Sequence, residues 1–128
     1  MKIAIGCDHG GFDMKTALIA YLKEQGYEIK DYGCYDKSSI DYPDYVFPVG
    51  EAVVRGEYDR GIVICTTGIG VSISANKVHG IRCALVTDEY SAKMTRAHND
   101  TNMLALGANV TTVVRAQGIV DIWLSEPY

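Results

Sequence analysis

Cys65-Thr66-Thr67-Gly68-Ile69-Gly70 places a thiol at the end of an apolar run and directly ahead of two glycines. Glycines in such a turn let backbone N–H groups face an anion where a helix begins. A thiol beside those donors is favoured as thiolate, the form that acts as base or nucleophile at neutral pH. The same residue also fits a plainer reading, a buried strand-end cysteine beside an ordinary turn. The glycines do not complete G-x-G-x-x-G, because Ile73 stands where the third glycine belongs, and no G-K-[ST] follows to make a P-loop. Dinucleotides and nucleoside triphosphates are therefore disfavoured as ligands.

Asp8-His9-Gly10-Gly11 follows another apolar run. An Asp there can cap a helix or hold a sugar hydroxyl, and the His can donate to a phosphate. His98-Asn99 can exchange protons or bind hydroxyls, although a helix C-terminal cation is the commoner role for such a His. Asp41-Tyr42-Pro43-Asp44 reads first as an N-cap with proline in the opening helical turn. His79, before Gly80, reads as a solvated loop residue.

These segments must be positioned by regular elements, and the apolar spacing supplies them. Lys2–Gly6 and Gly61–Cys65 are short, nearly continuous apolar runs, as in strands covered on both faces. Tyr27–Asp31, Ile81–Val86 and Asn102–Leu106 add three more strands. Met14, Ala17, Leu18, Tyr21 and Leu22 recur at helical spacing and Gly26 follows, which predicts a helix of about fifteen residues. A second helix starts near Pro43, buries Val46, Val49 and Val53, and ends near Gly56. A third follows the cysteine turn through Lys77. Asp88–His98 forms a fourth, with acids in its first turn and Arg96 and His98 in its last. The final helix carries Ala116, Ile119, Val120, Trp123 and Leu124 on one face. Gly33–Asp41 is polar and turn-rich and predicts no regular element.

Strand and helix alternating five times predict right-handed crossovers and a Rossmann-like α/β/α sandwich with a five-stranded parallel sheet. Ligands bind at the carboxyl ends of such strands. Asp8-His9, Cys65–Thr67 and Thr87-Asp88 lie at three of those ends.

The 128 residues, 48% hydrophobic and 22% charged, suit a single domain with one sizeable core. A net charge of −4, with only 12 scattered Lys and Arg, offers no basic patch for nucleic acid. No run approaches the roughly twenty apolar residues of a membrane span, and no leader pattern precedes the first strand. Cys7, Cys34, Cys65 and Cys83 show neither C-x-x-C nor zinc spacing. They read as free thiols in a reducing compartment, which places the protein in the cytoplasm. No residue cluster has metal-ligand spacing, so neither metal nor other cofactor is expected.

Six segments in order then resemble one family. G-x-D-H-G-G (Gly6 to Gly11), D-Y-P-D (Asp41 to Asp44), G-I-V-I-C-x-T-G-x-G (Gly61 to Gly70), S-I-S-A-N-K (Ser72 to Lys77), G-I-R (Gly80 to Arg82) and H-N-D (His98 to Asp100) resemble the ribose-5-phosphate isomerase B family. The resemblance implies interconversion of ribose 5-phosphate and ribulose 5-phosphate through an enediolate, with Cys65 as base and without a cofactor. It assigns ring opening to His98 and Thr67, and oxyanion stabilisation to the turn of Thr66, Gly68 and Gly70. Asp8 and Tyr42 would hold sugar hydroxyls, His9 the phosphate, and Asn99 would orient the substrate. It also implies a homodimer or dimer of dimers whose sites are shared, Cys65 coming from one subunit and His98 from the other. Three departures stand out. Thr66 replaces the usual glycine after the cysteine. Gly107-Ala108-Asn109 replaces G-x-R, and the sequence ends at Tyr128 where members continue into an arginine-bearing tail. Isomerisation of a six-carbon sugar phosphate such as allose or galactose 6-phosphate remains an alternative. So does a non-catalytic sugar-phosphate-binding or partner subunit.

Overall fold

The computed structural model describes residues 1–35 and 41–128, with backbone alone at 42 and 43. Its elements alternate as β1 (Lys2–Cys7), α1 (Phe12–Glu24), β2 (Glu28–Asp31), α2 (Tyr42–Val54), β3 (Arg60–Cys65), α3 (Ile69–Ala75), β4 (Cys83–Leu85), α4 (Glu89–Ala97), β5 (Met103–Gly107) and α5 (Val113–Ser125). One 3₁₀ turn, His9–Gly11, leads from β1 into α1. The strands form a single parallel sheet in the order β2-β1-β3-β5-β4. The expected Rossmann-like sandwich is therefore present.

Strand residues alternate between two buried faces. Ile3, Ile5, Cys7, Ile62, Ile64, Leu104 and Leu106 pack with α1, α5 and Ala92 of α4. Ala4, Val63, Cys65, Met103 and Ala105 pack with α2 and α3 on the other side. This period of two fixes where each functional side chain points. Cys65 shares its face with Val63, so its thiol is turned towards α3.

The strand order also locates a crevice. β1 and β3 are neighbours, yet the chain leaves β1 for the α1 face and leaves β3 for the α3 face. Between such diverging loops the carboxyl edge of a parallel sheet opens, which is the usual ligand position in this architecture. α2 also begins at that edge. A Cβ on Gly6, late in β1, would meet Tyr45 and Val49, and one on Gly61, early in β3, would meet Val49 and Val53.

Two expected boundaries shift. The first helix is divided into the 3₁₀ turn and 13-residue α1, closed by Gly26 at φ +93°. The fourth strand is shorter than the apolar run Ile81–Val86, and side-chain amides hold its start. Arg82 N–H donates to Asn102 Oδ1 at 2.9 Å, and Cys83 N–H donates to Asn76 Oδ1 at 2.8 Å while Asn76 Nδ2 returns a bond to the Cys83 carbonyl. The Asn76 amide thus covers the open edge that β4, an outer strand, would otherwise present.

Candidate active site

The β1 and β3 loops meet tightly at the carboxyl edge. Asp8 N–H donates to the Ile64 carbonyl at 3.2 Å, and Asp8 Oδ1 accepts the Gly11 N–H at 3.0 Å. Asp8 is buried and performs the capping role. A Cβ on Gly10 would lie 2.6 Å from Thr66 Cγ2, so the Thr66 methyl is seated against Gly10. His9, Thr66 and Thr67 are exposed around this junction, giving a mouth rimmed by an imidazole and two hydroxyls.

Cys65 closes the floor at 1% exposure. Gly68, at φ +82°, turns the chain so that its N–H donates to Cys65 Sγ at 3.1 Å. The bond aims a backbone donor at the sulfur. Ile69 N–H is turned the other way, onto Thr67 Oγ1 at 3.2 Å. Gly70 lies in the first turn of α3. The other cysteines have a different character. Burial pushes the Cys83 thiol up to about 12, and burial chiefly also raises Cys7, which lies 3.8 Å from the Cys34 sulfur. Both stay neutral and unreactive at ordinary pH.

A third loop, after β5, holds the cysteine turn in place. Ala108 N–H donates to the Cys65 carbonyl at 2.8 Å and Asn109 N–H to the Thr66 carbonyl at 2.9 Å. Gly107 permits this approach, since a Cβ there would fall 2.4 Å from the Thr67 carbonyl oxygen. In the sequence, residues 107–109 stand out only as a departure from G-x-R, and their role as a clamp is visible only in the fold. The signal was a glycine at the end of an apolar strand, where a close backbone approach is a standing possibility.

His98 and Asn99 are elsewhere. α4 starts after the carboxyl end of β4 and must return to the amino end of the parallel β5, so His98, its C-cap, lies at the opposite edge of the sheet from Cys65. Cys65 is in register with Gly107, the last residue of β5, and His98 precedes Met103, its first. The strand alone separates the two edges by about 13 Å. Both residues are exposed, and Asn99 lines a cavity of about 360 Å³ with Asn76, Arg82, Cys83 and Thr101. One chain therefore unites Asp8, His9, Cys65, Thr66, Thr67, Gly68 and Gly70, but not His98 or Asn99. Tyr42 opens α2 at the carboxyl edge, and its side chain lies outside the described residues. Among the described residues no group of three or more His, Cys, Asp or Glu is placed to hold a metal ion. No helix among them is long and apolar enough to cross a membrane.

Residues 3–128 match the family model described as Ribose/Galactose Isomerase. The chain belongs to this family of isomerases. The ribose/galactose isomerase fold is reproduced closely in a solved relative, ribose-5-phosphate isomerase B of Clostridium thermocellum. That protein is 53% identical, superposes with a TM-score of 0.98, and is matched over 100% of this chain and 86% of its own. Ribose-5-phosphate isomerase B of Escherichia coli is 49% identical across 99% of this chain and 85% of its own length. Galactose-6-phosphate isomerase subunit LacB of Clostridium acetobutylicum is 40% identical across 100% of this chain and 74% of its own. The chain's family and its close relatives are thus isomerases of sugar phosphates, and the relatives include a subunit of a galactose-6-phosphate isomerase.

Proposed function

We propose that the protein interconverts ribose 5-phosphate and ribulose 5-phosphate, using Cys65 as the base that moves the proton between C1 and C2. The observation that carries this reading is the Cys65 sulfur at the floor of the β1/β3 crevice, accepting the Gly68 N–H at 3.1 Å. The names of the relatives from Clostridium thermocellum and Escherichia coli support the five-carbon substrate. Four free thiols suit a reducing compartment, and we place the enzyme in the cytoplasm.

In this reading the ring of the aldose opens first, with Thr67 and His98 moving protons between the anomeric hydroxyl and the ring oxygen. Cys65 then takes the proton from C2 beside the carbonyl, leaving an enediolate, and delivers a proton to C1 to give the ketose. Gly68 N–H is engaged with the sulfur and Ile69 N–H with Thr67, so the Gly70 N–H is the donor we assign to the developing oxyanion. Asp8 and Tyr42 hold sugar hydroxyls, His9 meets the phosphate, and Asn99 orients the substrate. Because His98 and Asn99 lie at the far edge of their own sheet, they serve the crevice of a second copy. The working unit is then at least a two-fold dimer with two shared pockets.

The test is a panel of aldose phosphates, including ribose 5-phosphate, allose 6-phosphate and galactose 6-phosphate, incubated with the enzyme in deuterated water. The expected result is fastest turnover with ribose 5-phosphate and solvent deuterium at C1 of the ribulose 5-phosphate formed. Product free of solvent deuterium throughout would remove an enediolate whose proton exchanges with solvent. Faster turnover of a six-carbon substrate would move the assignment towards the galactose branch.

A further inference from the structure

The segment that carries His98 is held by more than its helix. His98, Asn99 and Asp100 continue the α4 bonding pattern, donating to the carbonyls of Met94, Thr95 and Arg96 at 2.8, 3.2 and 3.3 Å. The chain then reverses at Asp100, whose φ of +48° is the sole positive value of a non-glycine residue among the described residues. Glycine is the usual choice for that conformation, asparagine and aspartate also adopt it, and here a neighbouring side chain holds the aspartate in place. Arg96 does so from one turn earlier. Its Nη1 donates to Asp100 Oδ1 at 2.9 Å and to the Thr101 carbonyl at 2.6 Å, and its Nε reaches the Glu126 carbonyl at 3.4 Å.

The guanidinium is itself buried, with a side-chain exposure of 6%. It is therefore fixed from below by α5 while it grips both sides of the reversal. On the other flank Arg82 Nε donates to the Asn99 carbonyl at 2.8 Å. Trp123 Nε1 donates to Thr101 Oγ1 at 3.0 Å, pinning the residue that follows. His98 and Asn99 sit exposed at the crest of a turn whose backbone is secured on each side.

We propose that Asp100, gripped by Arg96, is a positioning residue that fixes the His98 imidazole for ring opening in the partner's pocket. The inference rests on the assignment of His98 to that step. An uncharged residue in the same place would serve to end a helix. Aspartate adds the one feature a terminator does not need, an anion matched to a buried guanidinium that already holds the next carbonyl. Reactive groups must be held to within a fraction of an ångström, and displacement by about 1 Å can cost about a hundredfold in rate.

Two measurements separate positioning from a purely structural role, because the two sugar forms make different demands. Ribulose 5-phosphate has its C5 oxygen blocked and stays open-chain, so exchange of its C1 proton with deuterated water needs Cys65 but no ring opening. Consumption of ribose 5-phosphate needs both. Asp100→Ala is expected to slow ribose 5-phosphate consumption about tenfold to a hundredfold in kcat while slowing C1 exchange of the ketose less than about threefold. Asp100→Asn, which tolerates positive φ and keeps an oxygen facing Arg96, should restore consumption to within about threefold of the parent. His98→Ala, run alongside, should show the same split as Asp100→Ala. A split in His98→Ala without one in Asp100→Ala would overturn the positioning role and leave His98 in place. Equal slowing of both processes by Asp100→Ala would mark the residue as structural. No split in His98→Ala would remove the ring-opening assignment and the inference with it.

Discussion

Cys65→Ala should lose at least about a thousandfold in kcat while remaining folded, the scale on which removing a catalytic acid–base group acts. The fold should survive because the side chain is small and its sulfur holds one local bond, from the Gly68 N–H, whose loss costs about 1–3 kcal/mol. It packs on the α2/α3 face with Val63, Val71 and Ala75, and alanine fills most of the same space. Loss of one buried atom costs about 1 kcal/mol, a drop of several degrees in Tm for a domain of this size. Cys65→Ser makes the sharper comparison. The hydroxyl can still accept the Gly68 N–H, yet it is a far weaker acid than a thiol and yields almost no anion at neutral pH. It should be nearly as inactive as the alanine variant. Turnover and thermal melting of the three proteins, measured side by side, check the expectation. Near-parent activity in either variant would exclude the sulfur as the base.

Gly107→Ala should damage the same pocket from outside it, by about a hundredfold in kcat. The added Cβ would sit 2.4 Å from the Thr67 oxygen, 2.5 Å from its carbonyl carbon and 2.9 Å from its Cα. All three are backbone atoms, so no side chain can rotate away and either the cysteine turn or the β5 loop has to move. Movement breaks the bonds from Ala108 and Asn109 to the Cys65 and Thr66 carbonyls, and the Gly68 N–H then loses its aim at the sulfur. Overpacking of this kind costs about 1–3 kcal/mol in stability. Gly118→Ala in α5 is the matched control, because nothing lies within 4 Å of its added Cβ and alanine suits a helix better. That variant should keep full activity and melt no lower than the parent. If Gly107→Ala also keeps full activity, the clamp has no part in setting the turn.

The contrast between these two glycines shows what the sequence made legible. Ile62, Val63 and Ile64 announce a buried strand by composition alone, and Gly26 and Gly56 mark helix ends where φ is indeed positive. Local chemistry of that kind needs no knowledge of the fold. Cys65 and Gly68 were also readable together, since only three positions along the chain part thiol and donor. Gly107 was not, because its meaning depends on Thr67, forty residues earlier in the chain and brought close only by β5 pairing with β3. The short β4 was hidden for the same reason. Ile81 and Val86 look like strand residues and are buried like them, yet the strand spans only Cys83–Leu85, with Asn76 bonded along its outer edge. The Asp8 carboxylate illustrates the opposite case, as its capping of Gly11 was the simple expectation and is what the structure contains. The strand order, and with it the crevice between β1 and β3, came only from the assembled sheet.

That order also sets the sharpest demand on the chemistry, because it puts Cys65 and His98 at opposite edges of one sheet. Mixing Cys65→Ala protein, inactive alone, with His98→Ala protein, slowed in ribose 5-phosphate consumption, tests whether two copies build one pocket. After subunit exchange, verified by mass, half of the dimers are mixed and each contains one pocket with both groups intact. Activity should then rise to about a quarter of the parent value, one intact pocket in four. Activity that stays at background after verified exchange would contradict the shared site and take His98 out of the reaction centre.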